Sequence, residues 1–408
     1  METTYEAAVA SLDALRGSPK LLLTLLDESI DDARVRFVVD DKAYVVGAEG
    51  HPCAVTLKVL APRFFERVLA SGNLGLGEAW MEHDYEVEEG TLQDFLSILV
   101  RNRLDHKIKA RPLFALRILM TRWANAVRGK THSVQRHYDI GVDLFEAFLD
   151  PTLTYSCGYV KDPDDSLEQL QFNKLDRLCR KLRLQESDHL LDIGCGYGGM
   201  LIHAARHYGV TGTGITISRH HHEHGNALIE KAGLSDRIHI EFEDFTKLEG
   251  TYDKVVSVGM MEHVPPSEYG TYARRIKEVL KPQGMGLIHC IGANAPKNEH
   301  DPFIQKYIFP HSNQPRLSDI AGSLEKHGLA ILDVENMVRH YGYTVRRWLE
   351  HFKANRHRLD PKQYDDSFMR MWEYYLCCGI AGAFYSDAAL YQVLFTKDYT
   401  APMPLHRV

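Results

Sequence analysis

The sequence predicts a two-part protein: a seven-stranded, doubly wound α/β (Rossmann-like) domain preceded by a smaller α+β domain. Three observations point there. From about residue 131, short apolar runs alternate with helical periodicity, the pattern of a parallel sheet covered on both faces. The first of those runs flows directly into a glycine-rich turn, Gly194-Cys195-Gly196-Tyr197-Gly198-Gly199. The first hundred residues keep a different rhythm, with a helix-like start, alternating strands and then another helix.

The chain has 408 residues, enough for two or three domains, and its 44% hydrophobic and 25% charged residues are ordinary for a globular protein. In residues 1–100 the alternation predicts strands at Val35–Val39, Tyr44–Val46 and Ala54–Val59, then a helix at Pro62–Leu69, with Gly72, Gly75 and Gly77 punctuating its end. No titratable cluster marks this part as catalytic, which leaves lipid binding or dimerisation, and so a homodimer, as its expected role. Residues 101–130 read as a basic amphipathic linker. Across 101–136 ten Lys or Arg face a single acid, Asp105, in a chain whose net charge is −7. The acidic total argues against nucleic acid as a partner. The basic segment suits either an anionic membrane surface or a solvated helix between domains, and both readings stay open.

No apolar run approaches the roughly 20 residues of a membrane-spanning helix, and no basic stretch leads into an apolar core at the N-terminus. Seven scattered cysteines without metal-ligand spacing suit a reducing cytosol. Residues 131–408 form the expected catalytic domain, with strands at His189–Ile193, Gly212–Ser218, Ile238–Glu243, Lys254–Val258, Gly286–Cys290, Ala330–Glu335 and Gln392–Thr396. Its clearest helix, Glu268–Leu280, is expected to stop at Lys281-Pro282-Gln283-Gly284.

Gly194, Gly196 and Gly199 satisfy the spacing of a dinucleotide loop, which calls for an acid at the end of the second strand. That strand instead ends Gly214-Ile215-Thr216-Ile217-Ser218, with no acid. Asp192 stands two residues before the first glycine, where a carboxylate could meet a ligand's ammonium group. A nucleoside bearing an amino acid fits that arrangement better than a pyrophosphate. Glu243-Asp244 close the third strand, where an acidic pair can bond an adenine amino group, unless both are simply a solvated strand end. With Tyr252-Asp253-Lys254-Val255-Val256-Ser257 and Val279-Leu280-Lys281-Pro282-Gln283-Gly284 in place, the domain resembles a class I S-adenosylmethionine-dependent methyltransferase.

Further strings narrow the resemblance: His137-Tyr138-Asp139, Thr154-Tyr155-Ser156-Cys157, Gly259-Met260-Met261-Glu262-His263-Val264, Leu287-Ile288-His289-Cys290-Ile291-Gly292, and His340-Tyr341-Gly342 with Thr344 and Trp348. In this order they resemble the cyclopropane-fatty-acid synthases and the enzymes that modify mycolic acids, from about residue 131 to 397. The resemblance implies S-adenosylmethionine held by Tyr138, Thr154, Tyr155, Ser156, Asp192, Gly194, Gly196, Gly198, Thr216, Ser218, His221, Glu243 and Asp244. It also implies a bound bicarbonate ion, held by the Cys157 backbone, Glu262, His289, the Ile291 amide and the Tyr341 hydroxyl. No metal is expected. The expected partners are unsaturated phospholipid acyl chains at an anionic membrane surface, and the expected location is the cytoplasm, attached peripherally to the inner face of the membrane.

Three positions depart from that family. Gly379 stands where a cysteine is usual, with Cys378 displaced by one. His221, in the run His220-His221-His222-Glu223-His224, replaces a glutamine, and Tyr343 replaces an arginine. Adjacent histidines on a helix point apart, so this run is not expected to bind metal. The expected reaction is cyclopropanation. The alternatives are C-methylation that leaves a methylene or methyl branch, N-methylation of a small amine, and a lipid-binding protein without activity.

Overall fold

A computed structural model describes residues 9–104, 107, 141–294, 301–310, 312–398 and 400. Its contacts divide the protein into two compact units. The first comprises residues 1–141 with 301–310 and 354–386, and the second comprises 142–300, 311–353 and 387–408. The expected divisions are 1–100, 101–130 and 131–408; by contacts, residues 301–310 and 354–386 group with the N-terminal unit.

In the first unit, β1 (Arg34–Val39), β2 (Lys42–Gly47), β3 (Cys53–Val59) and β4 (Tyr85–Glu89) form a sheet in the order β2-β1-β3-β4. The predicted helix runs Arg63–Ser71 and turns at Gly72, whose φ of +58° suits glycine. Gly75 and Gly77 do not end the element, as the sequence suggested; they sit inside a second helix, Asn73–Met81. A Cβ at Gly75 would lie 2.1 Å from the Arg67 carbonyl oxygen, and one at Gly77 would lie 2.4 Å from the Phe303 ring. These glycines therefore permit close packing. The long helix Asp366–Tyr385 packs on Leu92–Arg101 and Asn73–Met81. It buries Phe368, Trp372, Tyr374, Leu376 and Ile380, and its Arg370 covers Trp80 at 3.7 Å from the ring centre. So apolar a helix is stable only when covered on most sides. Cys378 lies on it, accepting a hydrogen bond from Asn73 Nδ2 at 3.8 Å, and burial holds its thiol protonated.

The second unit contains all seven expected strands: β5 (His189–Ile193), β6 (Thr211–Thr216), β7 (Ile238–Phe242), β8 (Tyr252–Val258), β9 (Leu280–Ala293), β10 (Ala330–Asn336) and β11 (Ala388–Thr396). Their order is β10-β11-β9-β8-β5-β6-β7, and β11 runs antiparallel to both neighbours. Strand order reverses between β5 and β8, which is where such sheets bind ligands at their carboxyl ends. Alternate residues face opposite layers. Leu191, Ile193, Ile288 and Phe395 pack with helices Tyr269–Val279 and Leu317–Lys326, while Leu190, Val256, Leu287 and Leu394 pack with helices Leu167–Leu182 and Gly199–Tyr208. One boundary is corrected. Helix Tyr269–Val279 passes straight into β9, and residues 281–284 bulge out between the pairs Tyr252↔Leu280 and Lys254↔Met285. The proline is tolerated because the bulge removes it from the ladder.

Candidate active site

The loop after β5 is pinned from below. The amides of Gly194 and Cys195 donate to the Ile215 carbonyl at 3.0 and 3.1 Å. Above Gly196, whose φ is +54°, no described atom lies within 4 Å of where a Cβ would be. A left-handed glycine with open space over it is a place for a ligand to approach backbone. Helix Gly199–Tyr208 begins here, and Thr154 Oγ1 lies 3.0 Å from the position of a Cβ on Gly199. Thus the Thr154–Cys157 string meets the glycine loop.

That string is held by Asp150, which accepts from the amides of Thr152 (3.0 Å) and Thr154 (3.1 Å). Gln171 Nε2 donates to the Ser156 carbonyl at 2.8 Å, and Lys174 Nζ donates to Ser156 Oγ at 3.1 Å. Neither Gln171 nor Lys174 was found by sequence reasoning. The only signal was a set of polar residues, Gln171, Lys174, Arg177 and Lys181, recurring at helical spacing among the leucines of the buried face. Tyr155 packs among the rings of Phe145, Phe148 and Trp348. Phe148 and Trp348 are buried, and a ring so covered contributes about 1.5–3 kcal/mol.

Asp192, on β5, is buried, and its Oδ1 has no hydrogen-bond partner among the described residues. Burial pushes its carboxyl up to about 7 against the opposing charge of Lys174. Burial likewise pushes Lys174 down to about 8, with Asp150, Cys157 and Asp192 pulling the other way. A buried, unpartnered carboxylate oxygen on the strand that leads into the glycine loop fits the ammonium of an amino-acid-bearing nucleoside. A pH dependence follows. The folded value is above the unfolded 3.8, so this group's stabilisation is complete below the unfolded value and is lost as pH rises through about 7. Binding a cation at Asp192 must displace the proton. Affinity for S-adenosylmethionine is therefore expected to rise with pH, approaching about tenfold per unit below that value and levelling off above it. Calorimetric titration across this range checks the slope, and Asp192→Asn should bind weakly with the slope lost.

The other cofactor candidates lie around this loop. Ser218 is the cap of helix Arg219–Lys231 rather than the end of a strand, its Oγ accepting from the His221 amide at 3.3 Å. Thr216 Oγ1 accepts from the Ser218 amide at 3.1 Å. The His221 ring meets Tyr197 of the loop edge-on at 4.7 Å, so the histidine that replaces a glutamine does lie beside the loop. The Glu243 amide donates to the Thr216 carbonyl at 3.0 Å. Asp244 Oδ1 caps a short turn, accepting from the Thr246 amide at 2.8 Å and its hydroxyl at 2.6 Å. Tyr138 lies outside the described residues. Among those described, no three His, Cys, Asp or Glu side chains are placed to share a metal ion. Tyr343 is covered by the Arg346 guanidinium, 5.6 Å from its ring centre.

A second cluster forms where β8 ends and β9 continues. Glu262 lies on the turn Met261–His263, held by Asn313, whose Nδ2 donates to the carbonyls of Glu262 (3.0 Å) and Val264 (2.8 Å). With β8 gone, Glu262 Oε1 takes over as acceptor for the Ile291 amide at 3.3 Å. Its Oε2 is buried without a partner among the described residues, and burial pushes the carboxyl up to about 7. His289 is also buried, with Nε2 likewise unpartnered. Ile291 and Tyr341 pack against Cys157, Met337 and Leu390, and Tyr341 meets Trp348 edge-on at 5.8 Å. The structure therefore gathers Cys157, Ile291, Tyr341 and Glu262, with His289 two residues back on the same strand. The Cys157 thiol donates to the Gly158 carbonyl at 3.1 Å, and burial drives its pKa far up, so it offers no thiolate nucleophile. Two buried polar atoms without partners among the described residues, one acidic and one imidazole, beside an apolar cluster suit a small oxyanion that carries a proton.

The sequence matches the mycolic acid cyclopropane synthetase family over residues 126–393. It is 39% identical over 345 residues to a cyclopropane-fatty-acyl-phospholipid synthase of Escherichia coli, covering 84% of this chain and 87% of that protein. A tuberculostearic acid methyltransferase of Mycobacterium tuberculosis is 31% identical over 376 residues, covering 88% and 86%. The structure of a cyclopropane synthase from Mycobacterium tuberculosis matches with a TM-score of 0.59 and 26% identity, over 64% of this chain and 96% of that one. A mycolic acid cyclopropane synthase complexed with SAH and CTAB matches equally, with a TM-score of 0.59 and 26% identity over the same shares.

Proposed function

The chain belongs to the mycolic acid cyclopropane synthetase family, and on that premise we propose that it closes a cyclopropane ring on an unsaturated phospholipid acyl group. Membership makes it an S-adenosylmethionine-dependent methyltransferase acting on lipid acyl chains. The finer reading is supported above all by one observation: the orphaned Glu262 Oε2 and His289 Nε2, buried beside the Cys157–Ile291–Tyr341 cluster.

The chemistry needs such a place. S-adenosylmethionine, when bound, supplies an electrophilic methyl group on a sulfonium. An isolated alkene is a weak nucleophile, so Asp192 and the glycine loop must fix that methyl group in line with it. As the alkene's electron pair forms the new C–C bond, the sulfur–methyl bond would break with its pair left on sulfur as the neutral thioether, and positive charge appears on the other carbon of the former double bond. The rings of Tyr155, Tyr341 and Trp348, already packed together, can stabilise that charge through their faces while keeping water out. The new methyl then gives up one proton, and its C–H electron pair closes the three-membered ring. Bicarbonate, when bound by Glu262, His289, the Ile291 amide, Tyr341 and the Cys157 backbone, supplies the base for that proton. Glu262, poised near neutrality, can accept the proton onward and release it to solvent. The Cys157 thiol, held protonated by burial, is a weaker trap for the cation than a thiolate would be.

Mass spectrometry of membrane lipids from cells expressing the protein tests this reading. Acyl groups that gain one methylene unit and lose their olefin support it. A gain that keeps the olefin or leaves a methyl branch would move the assignment to methylation without ring closure, the reading that the tuberculostearic acid methyltransferase among the relatives favours. Unchanged acyl groups with a methylated amine would overturn both.

No helix among the described residues is long and apolar enough to cross a membrane, so we propose peripheral attachment through the basic segment. Residues 108–136 of it lie outside the described residues. Of its first cations, Arg101 pairs with Asp32, and Lys107 pairs with Asp31 and donates to the Ser29 carbonyl at 2.7 Å. The cations further along the segment are the ones proposed to meet lipid. Neutralising Arg111, Arg117, Arg122 and Arg128 together should weaken sedimentation with anionic vesicles about 10²–10³-fold, at about 1 kcal/mol for each charge. Affinity for S-adenosylmethionine should not change. Vesicle binding that survives the substitutions, or ignores salt, would make the segment a linker.

A further inference from the structure

His289 is the inner end of a hydrogen-bonded relay that crosses the second unit. Its Nδ1 lies 3.1 Å from Nε2 of Gln392, its cross-strand partner in the β9–β11 ladder. Gln392 Oε1 accepts from Lys181 Nζ at 2.7 Å. Lys181 also donates to Glu335 at 2.6 Å, and Arg177 grips the two oxygens of the same carboxylate at 3.0 and 2.9 Å. Asp333, beside Glu335 on β10, is a further 3.7 Å partner of Lys181.

This relay has a direction. A lysine ammonium has donors and no acceptor, so only the amide oxygen of Gln392 can face it. The amide nitrogen is then turned towards His289. That nitrogen offers only hydrogens, so Nδ1 of the imidazole must accept. A neutral imidazole that accepts at one nitrogen carries its hydrogen on the other. The other is Nε2, the buried atom with no partner among the described residues.

We propose that Lys181 and Gln392 are positioning residues that lock His289 as the neutral Nε2–H tautomer, so that His289 donates a hydrogen bond to the oxyanion and is not the base. The proposal rests on the anion-site reading given above. Burial, with the cations Lys174 and Lys181 on the adjoining helix, pushes the imidazole down to about 3, which keeps it neutral. Roles then divide by chemistry. Glu262, with a bare carboxylate oxygen, is the group that can take a proton; His289 holds the anion in place. The opposite tautomer would set an N–H against an amide N–H₂ at 3.1 Å and leave both hydrogens without acceptors.

Nuclear magnetic resonance of the full-length protein with nitrogen-15-labelled histidine reads the tautomer directly. The His289 signals are identified by their loss in His289→Gln. The expected pattern has the hydrogen on Nε2 and does not titrate from about pH 5 to pH 8. A hydrogen on Nδ1, or a titration in that range, overturns the proposal without recourse to any further variant. Gln392→Glu places an acceptor opposite Nδ1, so the pattern should invert; a pattern that stays unchanged there would show that Gln392 does not set the tautomer. In turnover, His289→Gln keeps an N–H near the Nε2 position and should exceed His289→Leu at least about tenfold, the scale on which a single anion-holding donor acts. Equal losses would mark His289 as a base. The two readings fail separately. An enzyme that needs no bicarbonate but shows the Nε2–H pattern overturns the identity of the ligand and leaves the tautomer supported. Bicarbonate dependence with the Nδ1–H pattern does the reverse.

Discussion

Glu262→Gln is expected to lower turnover about 10²–10⁴-fold, the usual range for losing general-base help, while S-adenosylmethionine affinity stays within about threefold of the wild type. The substitution keeps the size of the side chain, and the amide oxygen can still accept from the Ile291 amide. What it removes is the buried carboxylate that sits near neutrality and can pick up a proton. Because burial raises that carboxyl to about 7, wild-type turnover should climb with pH through that value and then flatten, and the variant should lack this limb. Glu262 and His289 serve one bound ion in this scheme, so their losses should not multiply. The double variant Glu262→Gln, His289→Leu should be little worse than the poorer single one. Removing dissolved carbon dioxide should slow the wild type and leave the double variant unchanged. Losses that multiply, with no response to bicarbonate, would mean that the two residues act on different steps.

Gly196→Val should cost S-adenosylmethionine about 10–10²-fold in affinity without unfolding the protein. A β-branched residue at a φ of +54° is strained by roughly 1–2 kcal/mol, which lowers folding stability and is the same with and without ligand. The affinity loss comes from its side chain, which fills the open space over the loop, where loss of ligand hydrogen bonds costs about 1–3 kcal/mol. Since no described atom lies within 4 Å of that Cβ, the fold itself has no reason to clash. Calorimetric titration reads the affinity and circular dichroism the fold. A folded Val variant that binds at wild-type strength would remove the ligand from this loop. Gly194→Val is a poorer probe, because its Cβ would strike Met260 Cγ at 2.7 Å and disturb the protein directly.

Much of the candidate site is legible in the sequence. Asp192 and the three glycines announce themselves because backbone conformation and a buried acid leave a local trace at fixed spacing. Glu262 follows one predicted strand by four residues and His289 lies near the end of the next, and the parallel sheet sets Val258 opposite His289. What escaped were the residues that hold these groups. Gln171 and Lys174 staple the Thr154–Cys157 string from a helix whose periodicity says only which face is inward. Gln392 and Lys181 are 211 residues apart, and Gln392 and His289 are 103 apart. No local rule couples them.

The sequence by itself determined the period of each strand in the second unit, the glycine turn after the first strand, and the chemistry-bearing residues at the strand ends. These are properties of neighbouring residues, set by backbone sterics and by which faces must be apolar. Only the tertiary structure decided where Gly75 and Gly77 belong, since each is demanded by a close approach of other atoms rather than by a turn. It also decided that residues 301–310 and 354–386 side with the first unit, because the helix Asp366–Tyr385 is apolar on nearly every side and hides that surface against Leu92–Arg101 and Asn73–Met81. And it decided which nitrogen of His289 carries the hydrogen, a choice made by a lysine that can only donate, relayed through one amide to the centre of the site.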